Sequence, residues 1–173
     1  FFTMREIAGD HFKSAIAAVH QSSNKESSWT FRRLIEVFRA VCEAMAYAHE
    51  KGVIHRDLKP ANIFLMENGS IKVGDLGLGR TLSDDTPEAF SKVGTPLYMS
   101  PESSKGEAYN EKSDIWSLGC VLYELLTGSR PYPADSLEQQ IAGHMMAPLP
   151  RPSPSVNMNV LLSRSMARND SPR

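Results

Sequence analysis

A carboxylate, an ammonium, a carboxamide and a second carboxylate follow one another closely in this chain. Asp57, Lys59 and Asn62 lie within His55-Arg56-Asp57-Leu58-Lys59-Pro60-Ala61-Asn62, and Asp75 opens Asp75-Leu76-Gly77. Phosphoryl transfer asks for such a set: a carboxylate beside the attacking hydroxyl, a cation on the transferred group, and two oxygen ligands for magnesium. Asp, Asn, Pro and Gly are also turn formers, so either stretch alone is equally a polar turn between strands. Two ordered stretches separated by a hairpin-like spacer weigh towards the chemistry.

The elements that must position these residues can be read from the pattern around them. From Thr30, a candidate N-cap, apolar residues fall at Phe31, Leu34, Ile35, Phe38, Val41, Cys42, Met45 and Ala48 or His49. This spacing predicts an amphipathic helix that ends before Gly52, a C′ glycine. Val53-Ile54 then reads as a short strand delivering His55. Ile63-Phe64-Leu65-Met66 and Ser70-Ile71-Lys72-Val73 flank Glu67-Asn68-Gly69, and Asn-Gly between strand-like runs signals a hairpin. The hairpin sets Asn62 at its entry and Asp75 at its exit.

Further along, Ser113 to Gly128 reads as a helix with apolar residues on every side, hence a buried central one. Ser113-Asp114 at its start reads as a helix cap, favourable for the dipole. Ser136 to Met146 is a further helix, with Met145-Met146 as core filling. Pro148 to Pro154 is extended, and Asn159 to Ala167 is a last helix. Before the long helix, Phe1 to Arg5 reads as a strand, Ile7-Ala8-Gly9-Asp10 as a break, and Asp10 to Val19 as helical. Gln21 to Ser28 and Arg80 to Ser91 lack apolar periodicity and read as exposed loops.

The 173 residues are 41% hydrophobic with a net charge of −1, which suits one domain with a real core and gives no basic face for nucleic acid or an acidic membrane. The two cysteines, Cys42 and Cys120, sit in apolar helical patterns without metal-ligand spacing, and read as small buried hydrophobes. No run approaches ~18 apolar residues and no signal peptide opens the chain, so a cytoplasmic protein without a membrane segment in these residues is expected.

H-R-D-L-K-x-x-N followed by D-L-G resembles the catalytic loop and metal-binding triplet of protein kinases. Val93-Gly94-Thr95-Pro96-Leu97-Tyr98-Met99-Ser100-Pro101-Glu102 resembles the end of their activation segment, with Ser100 where Ala is usual. Lys59 is of the Ser/Thr type, and the wording around the catalytic loop is most similar to bacterial eukaryotic-type kinases. The resemblance implies an α+β, mainly α fold: the large C-terminal lobe of a kinase with a small catalytic-loop β-hairpin and the small lobe absent. It divides the chain into a hinge strand 1–9, a helical lobe 10–173, a catalytic loop 55–62 and an activation segment 75–102.

The implied activity is phosphorylation of Ser/Thr in a protein substrate, with ATP and Mg2+. Asp57, Lys59 and Asn62 would be catalytic, with Asn62 and Asp75 the magnesium ligands. Met4 would be the gatekeeper, Glu6 and Ile7 hinge backbone against adenine, and Phe64 a floor beneath it; Lys59 and Asp75 would also face ATP. Arg56 would receive a phosphate on Ser91 or, second, Thr86, while Thr95 would shape the substrate site. Structural roles fall to His55, to Leu76 in place of the usual Phe, to Asp114 as an acceptor for catalytic-loop N–H groups, and to Glu102 and Arg173 as a buried ion pair.

The Gly-rich phosphate loop, the strand lysine and the helix glutamate of the family have no counterpart here, so the missing small lobe or an upstream segment is an implied partner. The alternative function is a catalytically inactive lobe retained as a binding or scaffold module.

Overall fold

The computed structural model describes residues 9–21, 28–75, 97–133, 135–148 and 150–151. In chain order these form β1 (Asp10–His11), α1 (Phe12–Gln21), α2 (Phe31–Glu50), a 3-10 turn (Pro60–Asn62), β2 (Ile63–Leu65), β3 (Ile71–Val73), α3 (Pro101–Ser104), α4 (Glu111–Thr127) and α5 (Leu137–Met146). The described part is thus mainly helical with one small antiparallel sheet of order β1-β2-β3. The expected hinge strand, the loop 80–91 and the last helix lie outside the described residues, apart from Gly9.

Helix α2 follows its sequence pattern closely. The Thr30 hydroxyl accepts from Arg33 N–H at 3.2 Å and caps the start. At the other end Gly52 takes φ 70°, with Gly52 N–H donating to His49 O and Val53 N–H to Ala48 O, the paired bonds of a Schellman ending. Val53-Ile54 is therefore not the strand expected from its residue types. The Val53 N–H is spent on closing the helix, and beyond Ile54 the N–H groups of His55 and Arg56 go to a side chain of α4.

The expected hairpin is present as β2 and β3, with Ile63 opposite Val73 and Leu65 opposite Ile71. A third strand departs from expectation: Asp10 and His11 pair with Leu65 and Phe64 instead of starting α1, which begins only at Phe12. Chain entry here is tight, since a Cβ on Gly9 would lie 2.6 Å from Leu65 O.

The core joins α1, α2, β2 and α4. Phe12, Ala15 and Ile16 of α1 meet Leu34, Val41 and Met45 of α2, Ile63 and Leu65 of β2, and Val121 and Leu125 of α4. Leu58, from the middle of the 55–62 loop, is 1% exposed and belongs to the same cluster, so the loop is pinned by a buried side chain as well as by polar bonds.

Helix α4 begins two residues before the expected Ser113. Asn110 is its cap, and Ser113 completes a capping box by accepting from Asn110 N–H, so Ser113-Asp114 is not the cap. Nor is the helix buried on all sides. Ser113, Asp114, Ser117, Cys120, Val121 and Leu125 face inward, while Ile115 is 59% exposed. Met146 at the end of α5 is 82% exposed, so it fills no core. Cys120 is buried, and burial followed by the Glu124 charge pushes its thiol up to about 12; Cys42 is only half-buried. No helix among the described residues is long and apolar enough to cross a membrane.

Gly128 ends α4 at φ 74°, and an added Cβ would lie 2.6 Å from the His20 ring, whose Nε2 bonds Leu125 O at 2.8 Å. Left-handed strain of about 1–2 kcal/mol adds to that clash. Gly128→Ala is expected to lower unfolding stability by at least about 2 kcal/mol in urea titration, with little change in the m-value.

Candidate active site

The site is built outward from Asp114. Its side chain is 1% exposed, and a carboxylate so buried needs donors. Oδ2 accepts from His55 N–H at 2.8 Å and from the His49 ring Nε2 at 2.8 Å, and Oδ1 accepts from Arg56 N–H at 2.9 Å. Arg56 has φ 72°, a left-handed conformation costly for a residue with a side chain. Charge-assisted bonds of about 1.5–3 kcal/mol each from the flanking amides offset that cost. The chain reverses at Arg56 and sends Asp57 outward.

Asp57 is held from several directions. Its N–H meets His55 Nδ1 at 3.3 Å, and its carboxylate accepts from Lys59 Nζ at 2.6 Å and from Asn62 Nδ2 at 3.0 Å. The Asn62 nitrogen also donates to Asp57 O at 2.8 Å. Side chains that are 50% and 31% exposed make the Asp57–Lys59 pair a weak contributor to stability, so its effect is positional. Asn62 is nearly buried, both bonds use its nitrogen, and among the described residues no donor meets its oxygen.

The hairpin brings Asp75 to this place. Gly74 N–H bonds Asn62 O at 2.8 Å and closes the ladder, so Asp75 follows directly beside Asn62 and turns outward at φ 59°. Gly74 has to be small here, because a Cβ would lie 2.5 Å from the Phe64 ring. That ring lies 4.8 Å from His11, whose Nδ1 bonds Ala61 O at 2.7 Å. The ladder thus brings Asn62 and Asp75 to one end of the hairpin, and an amide oxygen and a carboxylate are donor types magnesium takes from a protein when phosphate oxygens supply the rest. Among the described residues no larger cluster of His, Cys, Asp or Glu forms.

A second polar group braces α3 against α4. The Ser100 hydroxyl caps α3, and Ser113 Oγ donates to Glu102 at 3.0 Å. Burial acts to raise the Glu102 carboxyl, but bonds from its own N–H, Ser100 and Ser113, with the Lys105 charge, outweigh it and hold the group below its ordinary value. Tyr98 donates to Glu124 at 2.5 Å and Ser117 to Tyr98 O at 2.7 Å, which ties the residues before α3 to the same helix.

Of the residues singled out from sequence, His55, Arg56, Asp57, Lys59, Asn62, Phe64 and Asp75 come together around this loop, with Asp114 beneath it. Met4, Glu6, Ile7, Leu76, Thr86, Ser91, Thr95 and Arg173 lie outside the described residues, and with Arg173 so does the expected partner of Glu102. His49 was missed as a site residue. Its signal was a polar ring on the apolar stripe of α2, where only a buried partner such as Asp114 makes it welcome.

The protein kinase domain family matches residues 5–168 of the chain. The chain belongs to the protein kinase family. It is 37% identical over 153 residues to the serine/threonine-protein kinase PknB of Mycobacterium tuberculosis, covering 83% of this chain and 24% of that protein. PknB of Mycolicibacterium smegmatis is 45% identical over 108 residues, covering 61% and 17%. Mouse serine/threonine-protein kinase Nek1 is 37% identical over 139 residues, covering 79% and 12%. The chain spans about a quarter or less of the length of these kinase relatives.

Replacing Asp114 by Asn keeps the shape but turns an NH2 towards amide donors. The expected loss is about 2–3 kcal/mol of stability in urea unfolding, from unpaired buried groups. A variant as stable as the parent would contradict the geometry just described.

Proposed function

We propose that this chain forms the catalytic-loop portion of a protein serine/threonine kinase which transfers the γ-phosphoryl group of ATP to Ser or Thr of a protein. One observation carries the reading: Asp57, Lys59 and Asn62 are bonded together on a loop anchored by Asp114, and the hairpin adds Asp75. A scaffold has no chemical need for all four.

In this reading Asp57 orients the substrate hydroxyl and accepts its proton, because it is the carboxylate of the loop that projects outward and is not assigned to metal. Lys59, now paired with Asp57, shares its ammonium with the transferred phosphoryl group. Asn62 Oδ1 and Asp75 would hold magnesium, which when bound neutralises phosphate charge. Phe64 would lie beneath adenine and the backbone at Glu6 and Ile7 along its edge, with Met4 as gatekeeper. A phosphate on Ser91 or Thr86 would pair with Arg56, and Glu102 would meet Arg173 in the large-lobe fold.

The Gly-rich phosphate loop and strand lysine have no match within these 173 residues, and the proposal places them in a small lobe of the complete protein. Positioning of that kind accounts for about 7–11 kcal/mol of a barrier, so the 173 residues alone are expected to transfer phosphate poorly.

In the complete protein, Asp57→Asn is expected to lower peptide phosphorylation by about 10²–10⁴-fold with Mg-ATP affinity nearly unchanged. Steady-state rates with radiolabelled ATP, beside nucleotide titration calorimetry, make the comparison. Turnover retained by the variant would remove Asp57 from the role given to it.

A further inference from the structure

His144 of α5 is 3% exposed and makes two hydrogen bonds of opposite sense. Its Nδ1 accepts from the indole N–H of Trp116 in α4 at 3.2 Å, and its Nε2 faces the carbonyl of Leu97 at 3.0 Å. A Trp nitrogen only donates and a carbonyl only accepts, so the partners fix the neutral ring with its proton on Nε2. A proton added to Nδ1 would point an N–H at an N–H. We propose that His144 is a positioning residue, a latch whose neutral imidazole ties the end of the activation segment at Leu97 to α4 and α5, and whose protonation releases that segment.

The neighbouring contacts isolate this one as the titrating member. After Leu97, Tyr98 O is held by Ser117, the Tyr98 phenol by Glu124, and Ser100, Ser103 and Ser113 form a hydroxyl chain. Burial, then Glu124, holds the Tyr98 phenol far above its ordinary value, so it stays protonated. Facing the His144 ring are Trp116 from α4, Leu97 O, and the phenol of Tyr132, ring to ring at 4.8 Å. Burial keeps the Tyr132 phenol above its ordinary value, hence neutral. Helix α3, which packs on α5, contributes Glu102, whose carboxylate turns to Ser113, and Glu138 of α5 is exposed in its first turn. No charged partner thus awaits an imidazolium among the described residues. Burial lowers the His144 value below its ordinary 6.5 despite the opposing Leu97 carbonyl. With a lowered folded value, the latch contributes fully above pH 6.5 and is lost as pH falls below it.

That the latched segment presents protein substrate rests on the kinase reading, whereas the latch itself does not. Hydrogen–deuterium exchange of residues 97–104 in the complete protein at pH 7.5 and 5.5, corrected for intrinsic rates, tests the latch directly. The parent is expected to lose about three- to tenfold protection at pH 5.5. His144→Gln, which can still donate to Leu97 O but does not titrate, is expected to show no such loss. Trp116→Phe removes the opposing N–H, together with part of the ring that packs on His144, and should move the loss to higher pH. Equal parent protection at both pH values, the same loss in H144Q, or an unmoved transition in W116F would overturn the latch. In phosphorylation assays the parent, not H144Q, should show a rising KM for peptide on acidification, with KM for Mg-ATP unchanged. Exchange that follows the latch in a protein with no phosphotransferase activity would uphold it and sink the kinase reading instead.

Discussion

One buried carboxylate decides the shape of the loop around it. Asp114 sits in the first turns of α4 with almost no contact with water, and removing a lone carboxylate from water costs several kcal/mol. Its three donors come from the last turn of α2 and from two successive amides of the 55–62 loop. Each alone is a modest interaction; together they make the left-handed turn at Arg56 the lowest-energy way to satisfy all four groups. Asp57 inherits its outward position from that turn, and Leu58, next along, drops into the core.

The same helix organises the chain on its other side. Ser117, Glu124 and, through Trp116, His144 fix successive groups of Leu97 and Tyr98, while Ser113 joins the α4 cap to Glu102. The 55–62 loop and the residues from Leu97 to Ser100 are thus both tied to α4. The hydroxyls of Ser113 and Ser117 make two of these links and the Asp114 carboxylate holds the loop on the other side, so the inward face of α4 is partly polar and not a plain apolar stripe.

Much of this was legible in the sequence where a local rule applied. The Thr30 cap, the stripe of α2, the Gly52 ending and the Asn-Gly hairpin are all set by residues close to one another, and they appear within a residue or two of where their patterns put them. The two-residue strand β1 was not legible, because its only determinant is pairing with β2 far along the chain. Val53-Ile54 has strand-forming side chains, yet the Val53 N–H was claimed by the helix ending and the amides that follow at His55 and Arg56 by a distant carboxylate. The start of α4 was misjudged because Asn110 capped it first, and Met146 because an apolar residue at a helix end carries no sign of which way it faces. His49 and His144 were the least visible. A buried histidine declares itself only through partners that tertiary structure supplies.

Amide exchange at His55 and Arg56, followed residue by residue by NMR in the parent and in Asp114→Asn, tests the central role of Asp114 most directly. If the carboxylate holds the loop, both amides are strongly protected in the parent and lose about thirtyfold or more in the variant, while mid-helix amides of α2 change far less. Unchanged protection at His55 and Arg56 would mean that the loop keeps its turn without Asp114.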